Sequence, residues 1–496
     1  MEKSRLKNKD SYWLADSYSA DESVVPADKR VPFGWPAASV SGIEERKIIL
    51  LWKNRASHDS AWLRITVALD LREEVKLEVR SAVSHILLGN FDIRYASVLQ
   101  PFQLLLSKEQ VQLAVSEGIS LRQTEGNVPL WIFVPDRGMP TSAGEAPLLF
   151  PHLYDAQDHV VDVDRWEAMK ITLATLSSLQ AFGWLEGCVL HGLMELNRVT
   201  GEPLYREALS RHFHMFMDEE EKLRYENPRS MPVDDQIYGI EGTLPFAMLA
   251  QLDATHPTLE RAIHFWMDPR NEDGVLLDHT MLTAEGNYTL AYPMAVLAKQ
   301  RGRLDLARLA LRQLEARQKL TLGDDLYLRY HQDGSYSFRN WSRAYAWYLL
   351  GLARTLKELD GADFLMNDEM HAIQALKQEL RRVSRISMSY QLPSGLWSVF
   401  LDDPDTGPET SGSAGIAAAL AIGVEMGLLD KDALAAATLA KEALTPYLTQ
   451  DGILSGVSQG NKGGESLQRG GYRVLSQMGT GLAAQLWAVI EDSPGK

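Results

Sequence analysis

The sequence predicts a mainly α protein, an (α/α)6 toroid of about twelve helices preceded by a small β-rich, sandwich-like N-terminal domain. Two observations carry this reading. Beyond Val163, helical segments that are apolar nearly all round, such as "AYAWYLLGLA", alternate with amphipathic charged ones, such as "LDLARLALRQLEARQKL". Before it, from Gly42 to Asp136, short apolar runs such as "KIILLWK", "AWLRITVALDL" and "NVPLWIFV" are separated by polar or Gly-containing turns, the pattern of a small antiparallel sheet or sandwich.

Residues 1–40 read as an N-terminal extension, 41–147 as the β-rich domain with its linker, and 148–496 as the helical domain. The segment "PDRGMPTSAGEAP", 135–147, is rich in Gly, Pro and small residues and supplies the linker. The expected helices are 165–179, 182–198, 203–218, 235–251, 257–267, 285–301, 304–320, 341–358, 363–386, 411–427, 431–447 and 473–491. A helix apolar on every side must be covered on every side, whereas an amphipathic one faces solvent. Strict alternation therefore implies an inner ring of helices inside an outer ring. The repeat, roughly 50 residues per pair, is one of structure with little sequence identity.

Composition bounds the partners. A formal net charge of −16 disfavours nucleic acid and anionic membrane surfaces. The single cysteine, Cys188, rules out an intrachain disulfide and a thiolate zinc site. The opening "MEKSRLKNKDSYWLADSYSADESV" has no apolar stretch suited to a signal peptide, and no run could span a bilayer, so a cytoplasmic protein is expected. A homo-oligomer is compatible with the sequence, which does not set the oligomeric state.

In a ring of inner helices one set of ends converges on a central funnel, so their first turns line a pocket. Trp184, Asp234 with Asp235, Glu285, Trp341 with Arg343, and Ser411 with Ser413 hold such positions. Taken as residues alone, Asp234 and Asp235 suit helix N-caps equally well, Glu285 suits a helix dipole, and Arg343 suits a structural ion pair. Trp347 and Trp397 suit the core as well as a pocket wall.

Several stretches resemble the unsaturated glucuronyl and rhamnogalacturonyl hydrolases, glycoside hydrolase families 88 and 105. "NWSRAYAWYLLGLARTLKEL" is similar to the family's Trp-x-Arg-x-x-x-Trp helix. "SGLWSVFLDDPDTGPETSGSAGIAAALAIGVEMGLLD" is similar to its Gly-Leu-Trp strand and Ser-Gly-Ser helix, and "GWLEGCVLHGLMELNRVTGEPLYREAL" to its first inner helix. The β-rich part lies outside the resemblance.

That resemblance implies two carboxylates facing across the funnel, from the second and third inner helices. Helix counting puts the first on Asp235 or Asp234 and the second on Glu285, where the family usually has aspartate. A rival register matches Asp235-x-Ile-Tyr to the family's Asp-x-Leu-Tyr and makes Asp235 the proton donor. The family's pocket histidine falls on His331 in the first register and on His279 in the second.

The implied reaction is removal of a terminal 4,5-unsaturated uronic acid from lyase-derived oligosaccharides, by hydration of the C4=C5 vinyl ether, without metal or cofactor. Arg343 would hold a carboxylate; Trp184, Trp341, Trp347 and Trp397 would stack on sugar faces; Ser411 and Ser413 would offer hydrogen bonds at a helix N-terminus. An ordinary β-glucuronidase, a polysaccharide lyase, or a carbohydrate-binding toroid without catalysis stay open as alternatives on the same scaffold.

Overall fold

The computed structural model describes residues 12–52, 59–135, 148–156, 164–268 and 274–492. Apart from Pro135, the expected linker lies outside the described residues. The strand-rich part is built from antiparallel pairs. One sheet has five strands: Ser17–Ala20, Lys47–Leu51, Ile119–Glu125, Glu74–Ser81 and Leu87–Arg94, in that spatial order. A second has four: Tyr12–Leu14, His152–Asp155, Ala61–Thr66 and Pro101–Leu106. The alternation Val75, Leu77, Val79 turns one face of its strand inward, as a half-buried strand requires.

The expected boundaries at 40 and 147 shift. Strands at 12–14 and 17–20 belong to the sheets, and 152–155 runs between 12–14 and 61–66. The sequence hid this because each of these strands is short and lies beside polar, Pro- or Gly-containing segments.

The remainder is helix-rich, with buried and half-exposed helices alternating. The buried helices Trp184–Thr200, Pro245–Leu252, Tyr292–Arg301, Ser342–Leu359, Thr410–Glu425 and Gln477–Glu491 pack each against the next, and the last against the first. The more polar helices Pro203–Met215, Leu304–Arg317, Asn367–Ser389 and Lys431–Leu444 pack outside them. Small residues set the inner spacing. A Cβ at Gly192 would lie 2.8 Å from the Gly481 carbonyl oxygen, and one at Gly351 would run into the backbone of Asn287 and Tyr288. Gly351→Ala is therefore expected to lower stability by about 1–3 kcal/mol through overpacking, read as a shift of the urea midpoint.

Two helix starts differ from expectation, and both bear on the cavity. The helix expected from 235 begins at Pro245, with only a 3-10 turn at Ile240–Gly242 before it. Residues 232–234 instead pair as a strand with 224–226, and Asp235 takes a positive φ of 52°. The helix expected from 285 opens with a π turn at Asn287–Ala291, a distortion often met at functional sites. Pro293 has no N–H to give the Thr289 carbonyl, and that oxygen accepts from the Thr243 hydroxyl instead. This bond ties the two acid-bearing segments together.

The strand-rich part is docked on the helical ring by polar contacts. Arg64 and Asp451, both buried, form an ion pair across the seam. Lys462 pairs with Asp70, and the side-chain amide of Gln459 donates to the Arg94 carbonyl at 2.8 Å. Among the described residues no helix is long and apolar enough to cross a membrane.

Candidate active site

A cavity of about 510 Å³ opens where the first turns of the buried helices meet the strand-rich part. Trp184, His279, Glu285, Trp341, Arg343 and Trp347 line it, as do Tyr238, Glu241, Asp278 and Arg329. Five buried polar atoms here have no partner among the described residues: Tyr238 Oη, Glu285 Oε2, Arg329 Nε, Trp341 Nε1 and Arg343 Nε. Buried polar atoms are seldom left unpaired, so their concentration in one cavity marks it as a place for a polar ligand.

Glu241 and Glu285 carry the electrostatics. Burial, and after it the charge of Glu285 and then of Asp278, push the Glu241 carboxyl up to about 8. Burial also raises Glu285, opposed chiefly by Arg329. Both carboxyls are thus raised by burial, and that of Glu241 also by the charge of Glu285.

The elements around Glu285 fix its position. Thr283 pairs in register with Arg329 on the strand Asp325–Tyr330, so that guanidinium sits beside the entry to Glu285. From the other side Arg317, fully buried, donates to the Thr283 carbonyl at 2.8 Å and to the Leu276 carbonyl at 2.9 Å. Its guanidinium lies against Gly286, where any Cβ would collide with it.

The aromatic wall is a connected stack. Trp184 meets Trp347 edge-on at 5.6 Å between centroids, and Trp347 lies parallel to Tyr288 at 6.0 Å. The Arg343 guanidinium sits 4.4 Å over the Trp341 ring.

Arg343 itself is engaged from the protein side. Its Nη1 donates to the Ser458 carbonyl at 2.6 Å, its Nη2 to the Gln459 carbonyl at 2.6 Å, and its charge faces buried Glu409 at 3.6 Å. The cation that the sequence offered for a substrate carboxylate holds the cavity wall in place.

Other expected residues lie elsewhere. Asp235 receives a 2.9 Å hydrogen bond from Arg261, Asp234 is held by Arg30 at 2.8 and 2.9 Å, and neither lines the cavity. The physical reason is the strand at 232–234, which carries both to the surface. His331 hydrogen-bonds Ser337 at 2.9 Å in a hairpin away from the cavity. Trp397 is fully buried and donates to the Ser387 carbonyl at 2.7 Å. Ser413 accepts from the Trp397 N–H at 2.8 Å, while Ser411 donates to Glu409 at 2.7 Å. These three knit the strand Trp397–Phe400 to the following helix and lie outside the cavity.

Sequence reasoning missed Glu241, Asp278 and Arg329. A signal for Glu241 existed. In "GIEGTLPFAML" an acid between two glycines stands just ahead of Pro245, and Pro favours the first helical turn. Nothing local pointed to Arg72, Ser97 and Gln100, which reach the cavity from the strand-rich part. Among the described residues, no three or more His, Cys, Asp or Glu side chains are grouped so as to hold a metal ion.

A closed succession of helices around a cavity lined by buried acids and indoles is an arrangement suited to a glycoside hydrolase. The sequence model of Glycosyl Hydrolase Family 88 matches residues 159–493, and the chain belongs to that family. The unsaturated rhamnogalacturonyl hydrolase YesR of Bacillus subtilis is 34% identical over 167 residues. That match covers 32% of this chain and 42% of the relative, so the chain spans about two fifths of its length. A possible member of glycoside hydrolase family 105 from Salmonella enterica shares the fold with a TM-score of 0.56 at 18% identity, over 70% of this chain and 97% of that one. A family 105 hydrolase from C. acetobutylicum does so with a TM-score of 0.55 at 19% identity, over 66% and 99%.

Proposed function

We propose that the protein is an unsaturated uronyl hydrolase on an (α/α)6 toroid, removing a terminal 4,5-unsaturated uronic acid from small oligosaccharides. The observation that carries this reading is the Glu241–Glu285 pair, which holds a proton near neutral pH inside a sugar-sized cavity. Membership of family 88 and the likeness to a rhamnogalacturonyl hydrolase support it.

In this mechanism the pair gives its proton to C4, and positive charge develops at C5 beside the ring oxygen. Water adds at C5 and returns a proton to the pair. The resulting hemiketal opens and expels the second sugar. The remaining carboxylate charge favours the cationic transition state. Arg329, whose guanidinium has no carboxylate partner among the described residues, faces the sugar's own carboxylate in this reading. Trp184 and Trp347 supply the stacking surface.

The test is incubation with a panel of unsaturated uronyl disaccharides. Loss of the enoate ultraviolet band supports hydration, a gain would mean a lyase, and no change with any of them overturns the reading. The pH profile is a second expected result. The protonated pair is the active form, so kcat/KM is expected to fall as pH rises through about 8, where Glu241 gives up its proton. A profile flat across that range would contradict the assignment.

A further inference from the structure

We propose that the seam between the strand-rich part and the helical ring is the subsite for the second sugar, and that it favours a sugar bearing a carboxylate or sulfate. This rests on the proposed function and extends it to residues of the strand-rich part, Asp70 and Arg72, that lie outside the family match at 159–493.

The seam runs against the trend of the whole molecule. The chain carries a formal charge of −16, yet the outer wall of the cavity presents Arg72, Arg229 and Lys462. Asp70 answers two of them, and it is shared: Arg72 Nε reaches it at 2.9 Å and Lys462 Nζ also binds it. The arrangement is built. Asp70 is almost fully buried, its N–H donates to Ser230 Oγ at 2.8 Å, and Arg72 Nη2 donates to the Pro228 carbonyl at 3.2 Å. Two cations on one buried carboxylate leave a surplus of positive charge at the cavity, and Arg229 adds a third cation to its lining. Arg229, at the tip of the turn joining 224–226 to 232–234, has no side-chain partner among the described residues.

Position assigns the role. Hydration requires the terminal ring to sit against Glu241 and Glu285. The Lys462 ammonium lies within electrostatic reach of Glu241 on one side and of Asp70 and Arg72 on the other. The charges acting most on Glu241 and Glu285 include Asp278, Arg329 and Lys462, with Arg72 and Arg229 elsewhere on the same cavity wall, where the rest of an oligosaccharide would run. A basic wall there meets the second sugar and not the first.

Two unsaturated disaccharides that share the terminal uronate test this, one with a neutral second sugar and one with a sulfated or uronic second sugar. The native protein is expected to show the higher kcat/KM on the anionic one, with the preference shrinking as salt is added. Arg229→Ala and Arg72→Ala are each expected to lower kcat/KM about three- to tenfold more on the anionic substrate than on the neutral one. Arg229→Ala guards against a folding artefact, since its side chain holds no other element. Turnover of both substrates without preference, or equal losses on both, overturns this inference and leaves the proposed function standing. No turnover of either substrate, nor of any other unsaturated uronide, overturns both.

Discussion

Replacing Glu285 by glutamine is expected to lower kcat by about two to four orders of magnitude on an unsaturated uronide, the usual worth of a positioned acid or base. Glutamine keeps shape and volume, so the thermal melt stays close to that of the native protein. What disappears is a titratable oxygen and the charge that lifts Glu241. Glu241→Gln removes the other carboxyl of the pair and is expected to produce a loss of similar size. The two losses are not expected to add, because the groups act as one unit. Asp235→Asn is the control: its carboxylate binds Arg261 on the surface, and activity is expected within about twofold of native. Full activity in Glu241→Gln, or a large loss in Asp235→Asn, would restore the assignment suggested by the sequence.

The second large effect is on stability. Arg343→Ala is expected to destabilise the fold by about 3–5 kcal/mol, the consequence of leaving a buried charge without its partner. Glu409 is fully buried and accepts from the backbone N–H groups of Ser411, Gly412 and Ser458. Its counter-charge is Arg343, which also holds the carbonyls of residues 458 and 459. A urea titration checks this directly. A variant with a native midpoint that had lost only affinity for uronates would return Arg343 to substrate binding.

Much of the architecture was legible because burial writes itself into a helix. Residues 184–196, 342–356 and 410–423 are buried nearly throughout and accordingly apolar on most faces, and Leu304–Arg317 shows its charged stripe. The strands were legible by their alternation, but their full set was not, since pairing across more than a hundred residues leaves no local mark. The acid pair was half legible. Glu285 stands in its expected place, whereas two adjacent aspartates imitated a helix start and drew attention from Glu241. An N-cap and a strand end ask for the same residue type, and only the pairing of 232–234 with 224–226 separates them. Arg343 lines the cavity as expected, but the choice between its ligand and ion-pair readings was not legible. A guanidinium at the mouth of a helical ring reads the same whether it faces a ligand or the carbonyls of a loop over a hundred residues away.

The strand at 152–155 lies between 12–14 and 61–66 in one sheet. That sheet therefore cannot close until the chain has passed residue 155, ten residues short of the helix that begins at Arg165. Excising either half at the Gly- and Pro-rich stretch before it would strip an interior strand and expose two raw edges. A cut at that point would thus divide a sheet and not separate two self-contained parts.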